Sequence, residues 1–230
     1  MDDVQRILVA CEESQAVTIE LRKLGHEAYS CDIEPCSGGH PEWHILGDVT
    51  KVLKTSDTGY GKKDYINFTT QDGGYFILDK EWDMIIAFPP CTYLSKVGAP
   101  SLFPQSGVLN QERYAKGLQA KEFFMLFYNH PCPRVAIENP VALKVYKLPP
   151  YTQIIQPYEY GHPYSKKTCL WLKGLPKLVP TELIDRERVV SWNTVVRDAK
   201  TRSKTFPGIA KAMAEQWIGK VEKSGSDSRI

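Results

Sequence analysis

The sequence alternates short, continuously apolar segments with longer segments whose apolar residues recur at helical spacing. Ile7, Leu8 and Val9 form the first apolar run, and Val17, Leu21 and Leu24 follow it at intervals of three or four residues. A continuous apolar run predicts a strand buried on both faces, as in a parallel sheet whose strands are joined by crossover helices. The order strand, helix, strand therefore predicts an α/β fold.

The same pattern continues along most of the chain. Strands are predicted at RILVACEE, HEAYSCDIE, HILGDVT, DMIIAFPP and RVAIENP, and an edge hairpin is predicted from IIQPYEYG and TCLWLKG. The stretch Gln111 to His130 predicts a helix with Tyr114, Leu118 and either Phe124 or Phe123 facing inward, and FPGIAKAMAEQWIGKV predicts the closing helix. We expect one mostly parallel sheet with flanking helices.

The length of 230 residues favours one domain, which we place at residues 1–222. Residues 54–80 interrupt the pattern because they are polar, rich in turn residues and aromatic, which predicts an inserted hairpin or mobile excursion. The aromatic residues there either stack on unpaired bases or bury the hairpin's own inner face, the use we favour. The serine-, glycine- and charge-rich residues 223–230 predict a frayed tail.

Bulk properties restrict the classes of function. The net charge of +2 permits contact with nucleic acid but does not by itself indicate it. No apolar run approaches the length of a membrane span, and the start MDDVQR lacks a signal-peptide pattern. We therefore expect a cytoplasmic protein with no membrane partner. In a reducing compartment its six cysteines are predicted to be thiols.

Four predicted strands end in groups that carry chemistry. Asp32 follows the second strand and Asp48 the third, positions where a carboxylate can bind the ribose and the adenine of a nucleoside cofactor. Cys91 follows the fourth strand directly after Pro89 and Pro90, which cannot continue a sheet and hold the chain extended. Glu138 ends the fifth strand. A thiol and a carboxyl group on neighbouring strand ends can act as nucleophile and proton donor.

The order and spacing of these segments resemble the cytosine-5 DNA methyltransferases, which use S-adenosylmethionine. PPCTYL resembles that family's nucleophile motif, IENP its Glu-Asn motif, CDIE its ribose-side motif and GDV its adenine-side motif. YGHPYSKKTCLWL resembles the motif with paired arginines, whose positions fall on Lys166 and Thr168 here. Together with FPGIAKAMAEQW, these segments most closely resemble a compact, phage-encoded branch that lacks a target-recognition domain.

The resemblance implies a Rossmann-like methyltransferase fold and a role for individual residues. Cys91 would be the nucleophile, Glu138 would hold a proton for the cytosine ring, Lys166 would bind the base carbonyl or a phosphate, and Asn139 would orient the Glu138 loop. The cofactor would contact Ala10, Cys11, Glu12, Ser14, Asp32, Ile33, Asp48, Val49 and Pro90. Glu12 in particular would accept a hydrogen bond from the amino group of the methionine part. No metal site is implied.

Two departures from the family pattern keep alternatives open. The first loop, ACEESQ, contains none of the family's glycines, so side chains must crowd or contact the cofactor. The segment between TCLWLKGLP and the last helix is about two dozen residues of loop, which leaves sequence-specific reading of DNA in doubt. The expected activity is cytosine-5 methylation of DNA, duplex or single-stranded, with little selectivity, in the cytoplasm of a phage-infected host. The alternatives are methylation of a free pyrimidine nucleotide and a weakly active or inactive protein that binds the cofactor or a nucleotide.

Each candidate also has a purely structural interpretation. Cys91 can be a small buried thiol, Asp32 or Asp48 a cap at a strand end, and Glu138 the partner of a core cation. The spacing of Cys31, Cys36, His40 and His44 is compatible with zinc. We favour the cofactor interpretation there, because Cys31 lies at the strand end that a cofactor site requires.

Overall fold

The computed structural model of the chain describes residues 4–53, 65–79, 81–105 and 107–221. Its strands are β1 (Arg6–Ala10), β2 (Glu27–Asp32), β3 (His44–Leu46), β4 (Ile66–Thr69), β5 (Tyr75–Leu78), β6 (Met84–Ala87), β7 (Val135–Pro140), β8 (Gln153–Ile155), β9 (Tyr164–Ser165), β10 (Thr168–Lys173) and β11 (Val190–Ser191). Its helices are α1 (Ala16–Lys23), α2 (Thr50–Leu53), α3 (Ala99–Leu102), α4 (Gln111–Tyr128), α5 (Trp192–Val195), α6 (Ala199–Ser203) and α7 (Pro207–Trp217).

Within the described residues, seven strands form one sheet in the order β3-β2-β1-β6-β7-β10-β8. β3, β2, β1, β6 and β7 pair in parallel, whereas β10 is antiparallel to both β7 and β8. The chain winds outward from β1 to β3 and then crosses to β6 on the other side of β1, which is the doubly wound order. This arrangement confirms the predicted Rossmann-like methyltransferase fold, a mostly parallel sheet with flanking helices.

Each face of the sheet is covered by its own core. On one face α1 packs against α7, and Val17, Leu21 and Met213 are fully buried there. On the other face Phe124 and Phe127 of α4 pack with aromatic residues that include Trp82. The continuous apolar runs of β1 and β6 are fully buried because both faces are covered. This double burial leaves the strand ends as the place where polar side chains can meet.

Helix α4 differs from its prediction in the residues that it buries. Leu118 was predicted to face the core but is 38% exposed, whereas Gly117 beside it is buried. A Cβ at Gly117 would lie 2.1 Å from the ring of Tyr146, so only glycine lets this ring pack against the helix. The buried side of α4 is therefore set by one close approach rather than by the apolar spacing alone.

The interruption of the pattern before β6 contains a two-stranded antiparallel ribbon, β4 paired with β5. Phe68 of β4 stacks with Phe76 and with Trp82, so this side of the ribbon is buried in the protein's own core. Residues 54–64 and 80 of the predicted excursion, and the predicted tail 223–230, lie outside the described residues.

The remaining sequence expectations concern cysteines, membranes and the sheet edge. All six cysteines are free thiols. Among the described residues, no helix combines the length and the apolar character needed to cross a membrane. The predicted edge hairpin is present, with β8 at the edge and β10 inside it.

Candidate active site

The turn that follows β6 presents Cys91 at the carboxyl end of the sheet. The N–H of Phe88 donates to the carbonyl of Ala10 at 2.9 Å, which keeps β6 beside β1 to the last residue. Pro89 is buried, Pro90 is exposed and Cys91 is half-buried. The carbonyl of Cys91 then accepts from the N–H groups of Leu94 and Ser95 at 3.0 and 2.9 Å. Cys91 is therefore held at the start of a hydrogen-bonded turn, at the edge of the core rather than inside it.

The segment after this turn is attached to the segment after β7. Lys96 donates its N–H to the carbonyl of Val141 at 3.1 Å, and Leu143 donates to Leu94 at 2.8 Å. Ser95 and Ala142 form an antiparallel bridge between the two hydrogen bonds. These contacts couple the position of Cys91 to the end of β7, the strand that carries Glu138.

Asn139 makes a third link between the two strand ends. Its side chain is fully buried, and its Nδ2 donates to the carbonyl of Pro89 at 3.3 Å. Its Oδ1 is buried without a hydrogen-bond partner among the described residues. The sequence analysis predicted that Asn139 orients the Glu138 loop, and the contact found here is to the turn that carries Cys91.

Cys91, Glu138 and Lys166 share one electrostatic environment. Burial and the neighbouring Glu138 charge raise the pKa of the Cys91 thiol, and the positive charges of Lys166 and Arg202 oppose this rise. Burial also raises the pKa of Glu138, against the charge of Lys166. The structure thus brings together the three groups that the sequence placed on separate segments. Burial favours the neutral form of both Cys91 and Glu138, and the charge of Lys166 opposes it.

Two members of this cluster were missed by the sequence analysis as functional residues. Thr168, at the position of a family arginine, is buried, its Oγ1 donates to the carbonyl of Lys166 at 3.2 Å, and its hydroxyl lowers the pKa of the neighbouring Glu138. Arg202 of α6 is half-buried and acts on Cys91 from more than 100 residues away in the chain. Thr168 had a local signal in its motif. Arg202 had none, because only the folded chain places α6 near Cys91.

The first loop after β1 adopts the backbone conformation that its missing glycines would have favoured. Cys11 and Gln15 have φ angles of 59° and 58°, in the left-handed region that side chains disfavour. The N–H of Cys11 donates to the carbonyl of Cys31 at 2.7 Å, which fixes the loop against β2. The loop therefore contains no glycine, although two of its residues adopt the left-handed conformation that glycine favours.

Glu12 accepts hydrogen bonds from the start of α1. Its carboxylate oxygens accept from the N–H of Val17 at 2.7 Å, the N–H of Thr18 at 3.3 Å and the hydroxyl of Thr18 at 2.8 Å. The side chain is 4% exposed, so both oxygens cap the start of α1 inside the protein. The expected contact between Glu12 and a cofactor amino group stays a prediction, and in this structure both oxygens of Glu12 accept hydrogen bonds from α1. Burial raises the pKa of Glu12 to about 7.

The next residue, Glu13, has a buried carboxylate oxygen that is available to a ligand. Its Oε2 is buried without a hydrogen-bond partner among the described residues, and its Oε1 lies 3.6 Å from Nζ of Lys204. A buried carboxylate oxygen without a donor is costly unless a ligand or water supplies one. Ser14, also predicted to bind the cofactor, is half-buried beside it.

The first loop is held from the side by the chain that follows β2. The side-chain amide of Gln15 donates to the carbonyl of His40 at 2.8 Å and accepts from its N–H at 3.1 Å. A Cβ at Gly38 would lie 2.6 Å from Cβ of Gln15, so this close approach requires glycine. Ser37 donates its N–H to the carbonyl of Glu13 at 2.8 Å. Hydrogen bonds to the chain that follows β2 therefore fix the conformation of the loop.

Asp32 and Asp48 lie at the ends of β2 and β3, as predicted. Asp32 is half-buried, accepts from the N–H of Glu34 at 3.0 Å and has its pKa raised by burial. Asp48 is exposed and accepts from the N–H of Thr50 at 2.9 Å. Both charges raise the pKa of the Cys11 thiol, after the larger effect of its burial, so the three side chains are close in space.

The apolar residues predicted around a cofactor fall into two groups. Ile33 is 78% exposed directly after β2, where an aromatic ring can pack on it. Ala10 is fully buried, its carbonyl accepts from Phe88, and Val49 is 4% exposed in the core. The predicted ligand contacts of Ala10 and Val49 stay predictions, and the side chains of both residues are buried in the core.

The cysteines and histidines considered for zinc have other partners. Nδ1 of His44 lies 2.8 Å from Oγ of Ser30, and Nε2 lies 2.9 Å from the carbonyl of Glu34. The ring of His40 stacks on Trp43 with 3.8 Å between ring centroids. In the part of the chain that the structure describes, no group of three potential metal ligands converges.

Comparisons with known proteins show a similarity in structure but none in sequence. No protein-family model and no curated protein matches the chain. Among solved structures, the chain is similar to a Dnmt2 methyltransferase from S. pombe, with 10% sequence identity and a TM-score of 0.39. The match covers 84% of this chain and 54% of that protein, so this chain spans about half of its length. The fold assignment depends on the strand order, and the candidate site depends on the contacts described above.

Proposed function

We propose that this protein is an S-adenosylmethionine-dependent cytosine-5 methyltransferase that acts on DNA with little sequence selectivity. The observation that carries the proposal is the cluster of Cys91, Glu138 and Lys166 at the ends of adjacent strands. A thiol beside a carboxyl group of raised pKa is the pair that addition to a pyrimidine ring requires.

The residues of the first three strand ends fit an adenosyl cofactor. The unpartnered oxygen of Glu13 would accept from a cationic amino group, Asp32 would accept from ribose hydroxyls, and Asp48 would accept from an adenine amino group. Exposed Ile33 would pack on the adenine ring. When bound, S-adenosylmethionine supplies the electrophilic methyl group.

Cys91 would make carbon 5 of cytosine reactive by adding to carbon 6, which turns the ring into an enamine-like nucleophile. The thiolate is the form that adds. Burial and the charge of Glu138 disfavour this form, whereas Lys166 and Arg202 favour it. A protonated Glu138 no longer opposes the thiolate, so the proton on Glu138 and the activation of Cys91 are coupled.

Glu138 would hold a proton against ring nitrogen 3 and stabilise the adduct as negative charge develops. Its pKa is raised by burial, which favours the protonated form of the carboxyl group. Lys166 would face the base carbonyl as a point charge. Once carbon 5 carries the methyl group, transfer of its proton to a base and departure of Cys91 as a thiolate would restore the aromatic ring.

Two alternatives are supported by particular features. The connection between β10 and α7 contains the short elements β11, α5 and α6, and its small size favours a free pyrimidine nucleotide as substrate. The left-handed conformation of Cys11 and Gln15 in a loop without glycine favours a protein that binds a cofactor or nucleotide and turns over slowly. In duplex DNA the target base must first be extruded, which costs about a few kcal/mol.

The proposal is tested by methyl transfer to duplex DNA, single-stranded DNA and dCMP, measured side by side. We expect transfer to the polymers, and a covalent adduct with DNA that carries 5-fluorocytosine, because fluorine cannot leave as the proton does. The adduct should require both Cys91 and the methyl donor, and the matched variant Cys91→Ser should form none. Transfer to dCMP alone would replace DNA with the free nucleotide, and undiminished transfer by Cys91→Ser would exclude the mechanism.

A further inference from the structure

The stretch Leu183–Lys204, here called the basic segment, carries most of the positive charge near the site. It contains six basic residues and three acidic ones, a net charge of +3 in a chain whose total is +2. Its basic residues are Arg186, Arg188, Arg197, Lys200, Arg202 and Lys204. The rest of the chain is therefore slightly negative. Lys200 and Lys204 pair with Glu34 and Glu13 outside the segment, so its excess positive charge is carried by the arginines.

Two of its three acidic residues have their carboxylates turned to the backbone. Asp185 accepts from the N–H of Glu187 at 3.2 Å, and Asp198 accepts from the N–H of Thr201 at 2.6 Å. Both carboxylates start short helical turns instead of pairing with the arginines beside them. Arg186, Arg188 and Arg197 are exposed, and no ion pair joins Arg188 or Arg197 to another described residue.

Arg186 is additionally held in place by an aromatic neighbour. Its guanidinium carbon lies 5.4 Å from the ring centroid of Tyr158, and an Nη atom lies 3.4 Å from the Tyr158 hydroxyl. Stacking on a tyrosine restricts the side chain but leaves guanidinium donors for an anion, because Arg carries five of them.

The basic segment is attached along the rim of the candidate active site. β11 pairs in parallel with β9, whose last residue, Ser165, precedes Lys166. Trp192 packs against Tyr164 and Phe206 with ring centroids 4.6 and 5.0 Å apart. Further along, Arg202 acts on Cys91, so the segment approaches the site at β11 and again at Arg202.

We propose that the basic segment binds the phosphate backbone of DNA beside the cleft, through Arg186, Arg188 and Arg197. Guanidinium groups bind phosphates through paired N–H donors, and contacts to phosphates carry no sequence information. Several exposed arginines on one segment suit a polymer that extends past the cleft, whereas a single nucleotide would reach only the cluster at Cys91. This inference rests on the proposed function for the identity of the polymer, and it makes DNA rather than a free nucleotide the substrate class.

The test is the salt dependence of DNA binding by the full chain, measured by fluorescence anisotropy with a labelled 24-base-pair duplex. A variant of the basic segment, here called the ridge variant, combines Arg186→Gln, Arg188→Gln and Arg197→Gln. Each lost phosphate contact should lower the slope of log affinity against log salt by about 0.9, so we expect a decrease of about 2 to 3. Affinity should fall for all duplex sequences alike.

A control variant with the same change of charge combines Lys23→Gln, Lys173→Gln and Lys211→Gln. All three lysines are exposed and lie outside the basic segment, at the end of α1, at the end of β10 and on α7. We expect its salt slope and affinity to stay close to those of the wild type. Equal losses of DNA affinity in both variants, or unchanged DNA binding by the ridge variant, would overturn the proposal. It would also be overturned if the wild type did not bind DNA, or if it bound anionic lipid vesicles instead.

Failure of this inference is distinguishable from failure of the proposed function. Binding of DNA is measured without S-adenosylmethionine, and transfer to dCMP is measured without DNA. If the wild type binds DNA with the expected slope but transfers no methyl group, the basic segment is supported and the methyltransferase proposal fails. If the ridge variant keeps wild-type affinity while transfer depends on Cys91, the enzyme proposal is supported and the role of the segment is overturned.

Discussion

The turns after β1 and β6 leave neighbouring parallel strands at the same edge of the sheet, yet they are made rigid in different ways. The turn after β6 uses Pro89 and Pro90, whose rings restrict the backbone at little cost. The loop after β1 uses no proline and holds Cys11 and Gln15 in the left-handed region. Such conformations cost about 1 to 3 kcal/mol each and persist only where the surroundings impose them.

The difference shows how each turn depends on its neighbours. The loop after β1 depends on buried polar side chains, Glu12 against α1 and Gln15 against His40. The turn after β6 depends on few side chains and is attached mainly by backbone hydrogen bonds to the residues after β7. We therefore expect substitutions in the first loop to affect stability, and substitutions at the Cys91 turn to affect reaction rate.

The largest effect is expected for Cys91→Ala. Methyl transfer should fall by at least about a thousandfold, because the nucleophile is removed. The free energy of unfolding should change by less than about 1 kcal/mol, since Cys91 is half-buried and its loss leaves little cavity. Transfer assays and urea denaturation measure the two quantities. A large loss of stability with retained transfer would reverse the contrast between the two turns.

Glu12→Ala should show the opposite behaviour. Its three donors on α1 would lose their buried acceptor, and we expect the free energy of unfolding to fall by about 2 to 4 kcal/mol. Glu12→Gln keeps the shape and one acceptor oxygen and should lose less. Binding of S-adenosylhomocysteine by the folded fraction should persist in Glu12→Gln, as expected if Glu13 rather than Glu12 contacts the ligand.

The raised pKa of Glu12 also predicts that the stability of the protein depends on pH. Because its pKa rises from 4.5 to about 7 on folding, the folded protein keeps this proton where the unfolded chain loses it. The contribution of Glu12 to the free energy of unfolding should therefore decrease between about pH 4.5 and pH 7 and level off above. Urea midpoints of Glu12→Gln over this range should lack that decrease. An identical pH profile in both proteins would contradict the raised pKa.

Asn139→Ala tests the link between the two strand ends. Loss of the hydrogen bond to Pro89 should let the Cys91 turn shift, and a displacement of about 1 Å can cost about a hundredfold in rate. We expect kcat to fall by about ten- to a hundredfold, with a loss of stability of about 1 to 2 kcal/mol. Affinity for S-adenosylhomocysteine should be unchanged. An altered affinity with normal kcat would place Asn139 in the cofactor site instead.

The smallest effect is expected at Cys11. Glycine adopts its φ of 59° without strain, so Cys11→Gly should change the free energy of unfolding by less than about 1 kcal/mol. Cys11→Val, with a branched side chain in the same conformation, should destabilise by about 1 to 3 kcal/mol. Thermal denaturation of both variants measures the difference. Equal effects would show that packing rather than backbone strain dominates at this position.

The strand ends were predictable because their signals are local. Pro89-Pro90-Cys91 ends a buried strand in the sequence and in the structure, and Asp32 and Asp48 follow their strands as expected. The direction of individual side chains was less predictable. Glu12 and Glu13 are equivalent in the sequence, but α1 begins at Ala16 and its first turn uses only Glu12. Val49 and Ile33 are both apolar residues at strand ends, and packing buries one and exposes the other.

By itself, the sequence determined the fold class and the positions of the reactive groups, because apolar periodicity and proline act over a few residues. Tertiary structure alone decided which of these groups meet. It placed Arg202 near Cys91, buried Glu138 enough to raise its pKa and attached the basic segment beside Lys166. Burial and charge depend on distances between residues far apart in the chain, and these distances exist only after the sheet and its connections have formed.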